Sequence, residues 1–182
     1  FDLRTGSPIG RAVRVAPRSL SWLRMTPDGH TLYTASEETT YAIDADSLRV
    51  VRRYPVGAFT TAVSPDGATL ALGQTDGRVR LLDPASGRVR TMTGGRPDGR
   101  RGGSPIDRHG RAIWAAAFSP DGRTLATGDG QGNVIVWDVS EGRAIETLEG
   151  HIDPITGVAF GPDGTLYTTS ADSTARIWDV AG

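Results

Sequence analysis

Residues 150–179 run GHIDPITGVAFGPDGTLYTTSADSTARIWD. The stretch opens on Gly150-His151 and closes on Trp178-Asp179. Between them lie a short apolar run, a Pro-Asp-Gly turn, a second run, a polar turn holding Asp172, and a third run. Runs this short, rich in Val, Ile, Thr and aromatic residues and broken by Gly and Pro, specify strands joined by tight turns and exclude long helices.

The unit recurs upstream. Its turn aspartates are Asp28, Asp66, Asp121 and Asp163, at steps of 38, 55 and 42 residues. Each is followed 16 or 17 residues later by a closing aspartate: Asp44, Asp83, Asp138 and Asp179. In Ser64-Pro65-Asp66-Gly67 and Ser119-Pro120-Asp121-Gly122, proline presets the second position of a type I turn, aspartate suits the third and glycine the fourth. A period of about 40–45 residues with four strands per unit describes a propeller blade.

These dipeptides, turns and spacings resemble the WD40 repeat. The resemblance implies an all-β fold of WD40 β-propeller blades, four four-stranded antiparallel repeats, with residues 1–182 as one repeat domain. The repeats are expected at 11–44, 50–83, 88–138 (with an insertion at 94–111) and 144–179. Expected strands are Ser21–Met25, Thr31–Thr34, Thr40–Ile43 and Val50–Tyr54, then Ala58–Val63, Thr69–Leu72, Val79–Leu82 and Arg88–Met92, then Ile113–Phe118, Thr124–Thr127, Val134–Trp137 and Ala144–Leu148. The fourth blade ends without its outer strand. WD40 blades usually close in rings of seven or eight, so the favoured reading is a piece of a larger ring. Two copies joined as one ring, or four blades closing alone, are the alternatives. Phe1-Asp2 reads as the end of a third strand and Arg11–Val15 as an outer strand, which fits a chain cut from a longer protein.

The resemblance also implies a buried hydrogen-bond chain within a blade, carried onto His151, Ser170, Asp172 and Trp178. Set apart from the pattern, His151, Ser170 and Asp172 have the composition of a hydrolytic triad; the resemblance makes them structural, with no catalytic residue in the chain. The third repeat keeps His109 and Trp137, but Gln131 and Asp129 stand at its aspartate and serine positions, so a partial set is expected. The first repeat has Ile43 at the tryptophan position and Glu37 at the turn aspartate. The second has Leu82 and Asp76-Gly77.

Composition narrows the function classes. Hydrophobic residues make up 37%, and glycine brings the total to about half, the level of a globular core. No apolar run approaches the ~20 residues of a membrane span. The net charge of −1 provides no general field for nucleic acid or an anionic membrane. All 20 basic residues are arginine, so a Walker lysine is absent. Cysteine is absent too, which removes disulfides, thiolate metal sites and a cysteine nucleophile; a cytoplasmic home fits most easily. Gly128-Asp129-Gly130-Gln131-Gly132 joins two strands and opens no helix, so it reads as a turn. Asp44 and Asp46 read as a solvated turn. Of His30, His109 and His151, two belong to the repeat pattern, which leaves no metal or cofactor site.

The insertion 94–111, GGRPDGRRGGSPIDRHGR, carries Arg96, Arg100, Arg101, Arg108 and Arg111 against Asp98 and Asp107. It reads as a tolerated flexible loop, or as an arginine-bearing arm for an acidic or phosphorylated partner, or, least favoured for want of interleaved aromatics, as a nucleic-acid contact. Trp114 and Trp22 are candidate surface anchors or core residues. The function expected is a non-enzymatic protein-interaction scaffold or sensor within a larger signalling or regulatory protein, since the array resembles those in bacterial signalling ATPases and kinases. The alternative is a propeller-type enzyme or small-molecule binder using the central channel.

Overall fold

The computed structural model describes residues 14–16, 19–93 and 109–180. The Phe1-Asp2 and Arg11–Val15 readings and most of the insertion, with Arg96, Arg100, Arg101 and Arg108, lie outside or only partly within them. The described residues form β-strands and turns only. Four antiparallel sheets follow one another along the chain, each a simple meander. The first holds β1 (Ser21–Met25), β2 (Thr31–Ala35), β3 (Thr40–Asp44) and β4 (Val50–Tyr54). The second holds β5 (Thr60–Val63), β6 (Leu70–Gly73), β7 (Val79–Leu82) and β8 (Val89–Thr91). The third holds β9 (Ile113–Phe118), β10 (Thr124–Asp129), β11 (Val134–Asp138) and β12 (Arg143–Leu148). The fourth has three strands, β13 (Ile155–Phe160), β14 (Leu166–Ser170) and β15 (Ala175–Trp178).

Each β1–β2-type turn is built from the tripeptide seen in the sequence. Gly67 N–H donates to the Ser64 carbonyl at 2.9 Å, and Ser64 Oγ donates to Asp66 Oδ1. Asp66 Oδ1 also accepts from Ala68 N–H. Gly67 then sits at φ +72°, a conformation in which an L side chain is strained. The same turn recurs at Thr26–Gly29 and Ser119–Gly122.

The first strands of consecutive sheets pack side by side: β1 against β5, β5 against β9, β9 against β13. They are therefore the inner strands of a radial arrangement. Side chains alternate across each sheet, so a sheet between two others buries both faces. Leu70, Leu72 and Leu82 of the second sheet meet Tyr33, Ala35 and Tyr54 of the first. From its other face Val79 and Leu81 meet Ile113, Leu125, Ile135 and Trp137 of the third. Val134, Val136 and Leu148 meet Ile155 and Leu166 of the fourth. Each fully buried Leu or Ile contributes about 1.5–3 kcal/mol.

Two glycines set the closeness of the sheets. A Cβ on Gly73 would lie 2.8 Å from Ile113 Cγ2, and one on Gly128 would lie 2.4 Å from Ile155 Cγ2. The isoleucines that open β9 and β13 thus seat against bare backbone of the preceding sheet. Among the described residues the last sheet buries one face only: β14 alternates Leu166, Thr168 and Ser170 inward with Tyr167 and Thr169 outward.

Candidate functional site

One end of the sheets carries the turns between second and third strands and the segments that lead into the inner strands. Here stand the polar residues singled out in the sequence. In the fourth sheet His151 Nδ1 lies 2.8 Å from Asp172 Oδ2, and His151 Nε2 lies 2.9 Å from Thr168 Oγ1. Trp178 Nε1–H donates to the same Thr168 oxygen at 2.9 Å. The hydroxyl that joins histidine to tryptophan is therefore Thr168, not Ser170. Ser170 Oγ donates to the Asp153 carbonyl at 2.7 Å and accepts from Asp172 N–H. Both residues face the same side of β14, but only Thr168 lies deep enough to reach the indole.

The third sheet holds a complete chain where a partial one was expected. His109 Nδ1 lies 3.0 Å from Asp129 Oδ2, and His109 Nε2 lies 2.7 Å from Thr127 Oγ1. Trp137 Nε1–H donates to Thr127 Oγ1 at 2.7 Å. The repeat pattern puts Asp129 at the serine position, and it does occupy the register of Ser170; yet its carboxylate reaches the histidine from the end of β10. Gln131, at the register of Asp172, is exposed and contributes only its backbone N–H to Asp129. One circuit is thus closed from two different positions of the hairpin.

The donors and acceptors fit a single direction. Tryptophan can only donate, and carboxylate can only accept. The threonine hydroxyl accepts from the indole and donates to Nε2, and the imidazole Nδ1–H donates to the aspartate. His109 and Asp129 side chains are 0% exposed; those of His151 and Asp172 are 0% and 4%. Burial raises the Asp129 carboxyl, but hydrogen bonds from His109 and Asn133 outweigh it and leave the group below its ordinary value. For Asp172 the Thr174 hydroxyl is the largest influence; with His151 and the N–H groups of Thr174 and Ile152 it holds the carboxyl well below the usual range, against partial burial.

The second sheet replaces the circuit with apolar residues. Leu72 and Leu82 stand at the register of Thr127 and Trp137, both fully buried. Tyr54, four residues before Ala58 as His109 is before Ile113, instead donates its hydroxyl to the Pro84 carbonyl at the other end of the sheet. In the first sheet Thr34 Oγ donates to the Ser21 carbonyl.

The circuits also lock neighbouring sheets. His109 N–H donates to the Gly77 carbonyl, and a Cβ on Gly77 would lie 1.9 Å from the His109 carbonyl. Gly77 stands at φ +82°. At the opposite end, Arg52 donates to the Pro84 and Ala85 carbonyls of the next sheet, and Arg90 to Ser140 and Val139.

The model of the family described as "WD domain, G-beta repeat" matches residues 104–138 and 142–179. The chain belongs to the WD40-repeat family. It is 29% identical to the meiotic recombination protein rec14 of Schizosaccharomyces pombe over 84% of this chain and 45% of that one. It is 34% identical to the WD repeat-containing protein SL1-17 of Schistosoma mansoni, over 75% of this chain and 42% of the relative. An uncharacterized WD repeat-containing protein of Synechocystis, sll1491, is also 34% identical, over 82% and 40%. The chain therefore spans less than half the length of these WD40 relatives.

Trp114 and Trp22 are the two large residues that the repeat pattern does not require. Both sit at irregularities of inner strands: the register of β9 shifts between Ile113 and Ala115, and that of β1 between Ser21 and Leu23. A bulge re-aims its extra residue, here out of the core. Trp114 is 43% exposed and packs edge-on against Phe59 at 5.9 Å; Trp22 is 51% exposed. Arg111 is exposed at the same end. Among the described residues no cluster of three or more His, Asp or Glu has metal-holding geometry, and no helix is long and apolar enough to cross a membrane.

Proposed function

We propose that this chain is part of a non-enzymatic interaction scaffold or sensor, cytoplasmic in location. It would bind protein partners through the sheet end that carries the His–Asp pairs. The observation that supports this reading is the contrast at that end. His109 and His151 are enclosed there and spent on Asp129 and Asp172, while bulges turn Trp114 and Trp22 outward. Exposed tryptophan is the residue type most enriched among interface hot spots. The hydrolytic alternative lacks an activated nucleophile, because Ser170 Oγ donates to a backbone carbonyl and not to His151.

The partner reading extends to the insertion, whose arginines (Arg96, Arg100, Arg101, Arg108 and Arg111) suit an acidic or phosphorylated surface. The half-covered fourth sheet suits further blades, supplied by the parent chain or by a second copy. Mass measurement in solution separates these two sources. The scaffold reading is tested by a photo-crosslinking residue placed at Trp114 and, as control, at Val51 on an outer strand. Crosslinks to one protein species from position 114 and not from 51 uphold it. Equal yields at the two positions, or none, overturn it.

A further inference from the structure

Between the first and second sheets, at the same end, lies a cleft of about 200 Å³. Its walls are Glu37 from the β2–β3 turn, Phe59 from the segment entering β5, Gln74 and Asp76 from the β6–β7 turn, and Arg80 from β7. By register this is the place where the third and fourth sheets seat a histidine–aspartate pair: Gln74 follows Gly73 as Asp129 follows Gly128. The residue at the histidine place here is Tyr54, whose hydroxyl donates to the Pro84 carbonyl at the far end of the sheet.

The space is not left apolar. Arg80 faces the first sheet in the row Thr61, Leu72, Arg80. Its Nε is buried with no hydrogen-bond partner among the described residues, and so is the Thr61 hydroxyl of the same row. A buried guanidinium N–H left bare costs more than an ordinary unsatisfied group. The Nε edge of arginine is also the edge that takes a carboxylate by two parallel N–H···O bonds. The acidic side chains nearby do not fill that need. Asp76 is held by Arg78 at 2.6 Å, and Glu37 lies exposed at the mouth. Gln74 spends its amide N–H on the Gly57 carbonyl, another wall of the cleft. Beside the cleft, Phe59 and Trp114 form an edge-on aromatic pair that continues the wall outward.

We propose that this cleft is a carboxylate-reading pocket: it takes an aspartate or glutamate side chain of a protein partner onto Arg80, with an adjoining aromatic or apolar residue packed on Phe59 and Trp114. The site rests on the scaffold reading above and gives that scaffold a chemical specificity. Glu37 opposes the incoming charge, so the pocket discriminates against weakly held anions and favours a ligand that also covers the aromatic pair.

The test uses the full chain and two short probes, acetyl-Glu-Phe-amide and acetyl-Gln-Phe-amide, followed through the ¹⁵N-labelled arginine Nε–H signals. The Arg80 signal is assigned by its loss in Arg80→Met. That variant keeps the fold, since the third sheet carries Ile135 at the same register. The glutamate probe is expected to shift the Arg80 signal saturably, and the glutamine probe to bind at least tenfold more weakly. Glu37→Gln is expected to tighten the glutamate probe several-fold, and Arg80→Met to abolish the difference between probes. Equal binding of the two probes, no movement of the Arg80 signal, or an equal shift with inorganic phosphate overturns the proposal. These outcomes separate from the crosslinking result: a partner captured at position 114 with an unresponsive Arg80 removes the pocket and leaves the scaffold.

Discussion

Replacing Thr127 by valine removes one oxygen from the centre of the third sheet and keeps the side-chain shape. Thr127 is fully buried and its hydroxyl joins Trp137 Nε1 to His109 Nε2, each at 2.7 Å. The indole N–H and the imidazole nitrogen are left bare in a site from which water is excluded. Each such group costs about 1–3 kcal/mol, and the added methyl recovers under about 1 kcal/mol. The expected loss is about 3 kcal/mol. For a domain of this size each kcal/mol moves Tm by roughly 2–4 °C, so Tm falls by about 6–12 °C. Urea unfolding with an unchanged slope would assign the change to stability. A companion variant, Trp137→Phe, removes the donor. The two together should cost less than their sum by about 1 kcal/mol or more, because each single change strands the other's partner. A Thr127→Val protein within about 0.5 kcal/mol of the parent would refute the circuit as a stabilising element.

Asp129→Ala should destabilise by about 2–3 kcal/mol in thermal melts, since it unpairs buried His109 and Asn133 together. The depressed carboxyls of Asp129 and Asp172 contribute stability that is present above the ordinary carboxylate value of about 3.9 and is lost as pH falls through their folded values. Stability should therefore hold from pH 7 to about 5 and drop below about 4, with a shallower acid drop in Asp129→Asn/Asp172→Asn; an identical drop in that variant would contradict the assignment. Gly77→Ala should cost more than about 2 kcal/mol by urea titration, because it places a Cβ against the His109 carbonyl at a positive φ. Arg90→Met should cost only about 0.5–1 kcal/mol, since its bonds to Ser140 and Val139 lie at an exposed end.

The strands were legible because their chemistry is local. Pro-Asp-Gly turns and short apolar runs placed β1, β4, β7 and β9 at the same bounds in sequence and structure, and the other expected strands within two residues. The circuit was legible as a set of residue types and misread in its wiring. Leu166, Thr168 and Ser170 share one face of β14, so alternation cannot choose between the two hydroxyls; depth chooses, and depth is tertiary. A signal was present: each threonine stands ten residues before its tryptophan, Thr127 before Trp137 and Thr168 before Trp178. The exchange of Asp129 for the turn aspartate could not be seen, because the carboxylate reaches His109 through the bend of the hairpin. The bulges that expose Trp114 and Trp22 leave no mark in the periodicity. The vacant histidine place beside Arg80 emerges only when the registers of neighbouring sheets are laid over one another.

The enclosed polar residues at the loop end are internal fasteners of tandem sheets. Hydrogen exchange of the four indole N–H groups, followed by NMR on ¹⁵N-tryptophan protein, reads it directly, because the chain carries its own controls. Trp137 and Trp178 should exchange far more slowly than Trp114 and Trp22, with Trp137 exchanging only through global unfolding. A Trp137 indole that exchanges as fast as that of Trp114 would mean that the circuit is open to water and that the account is wrong.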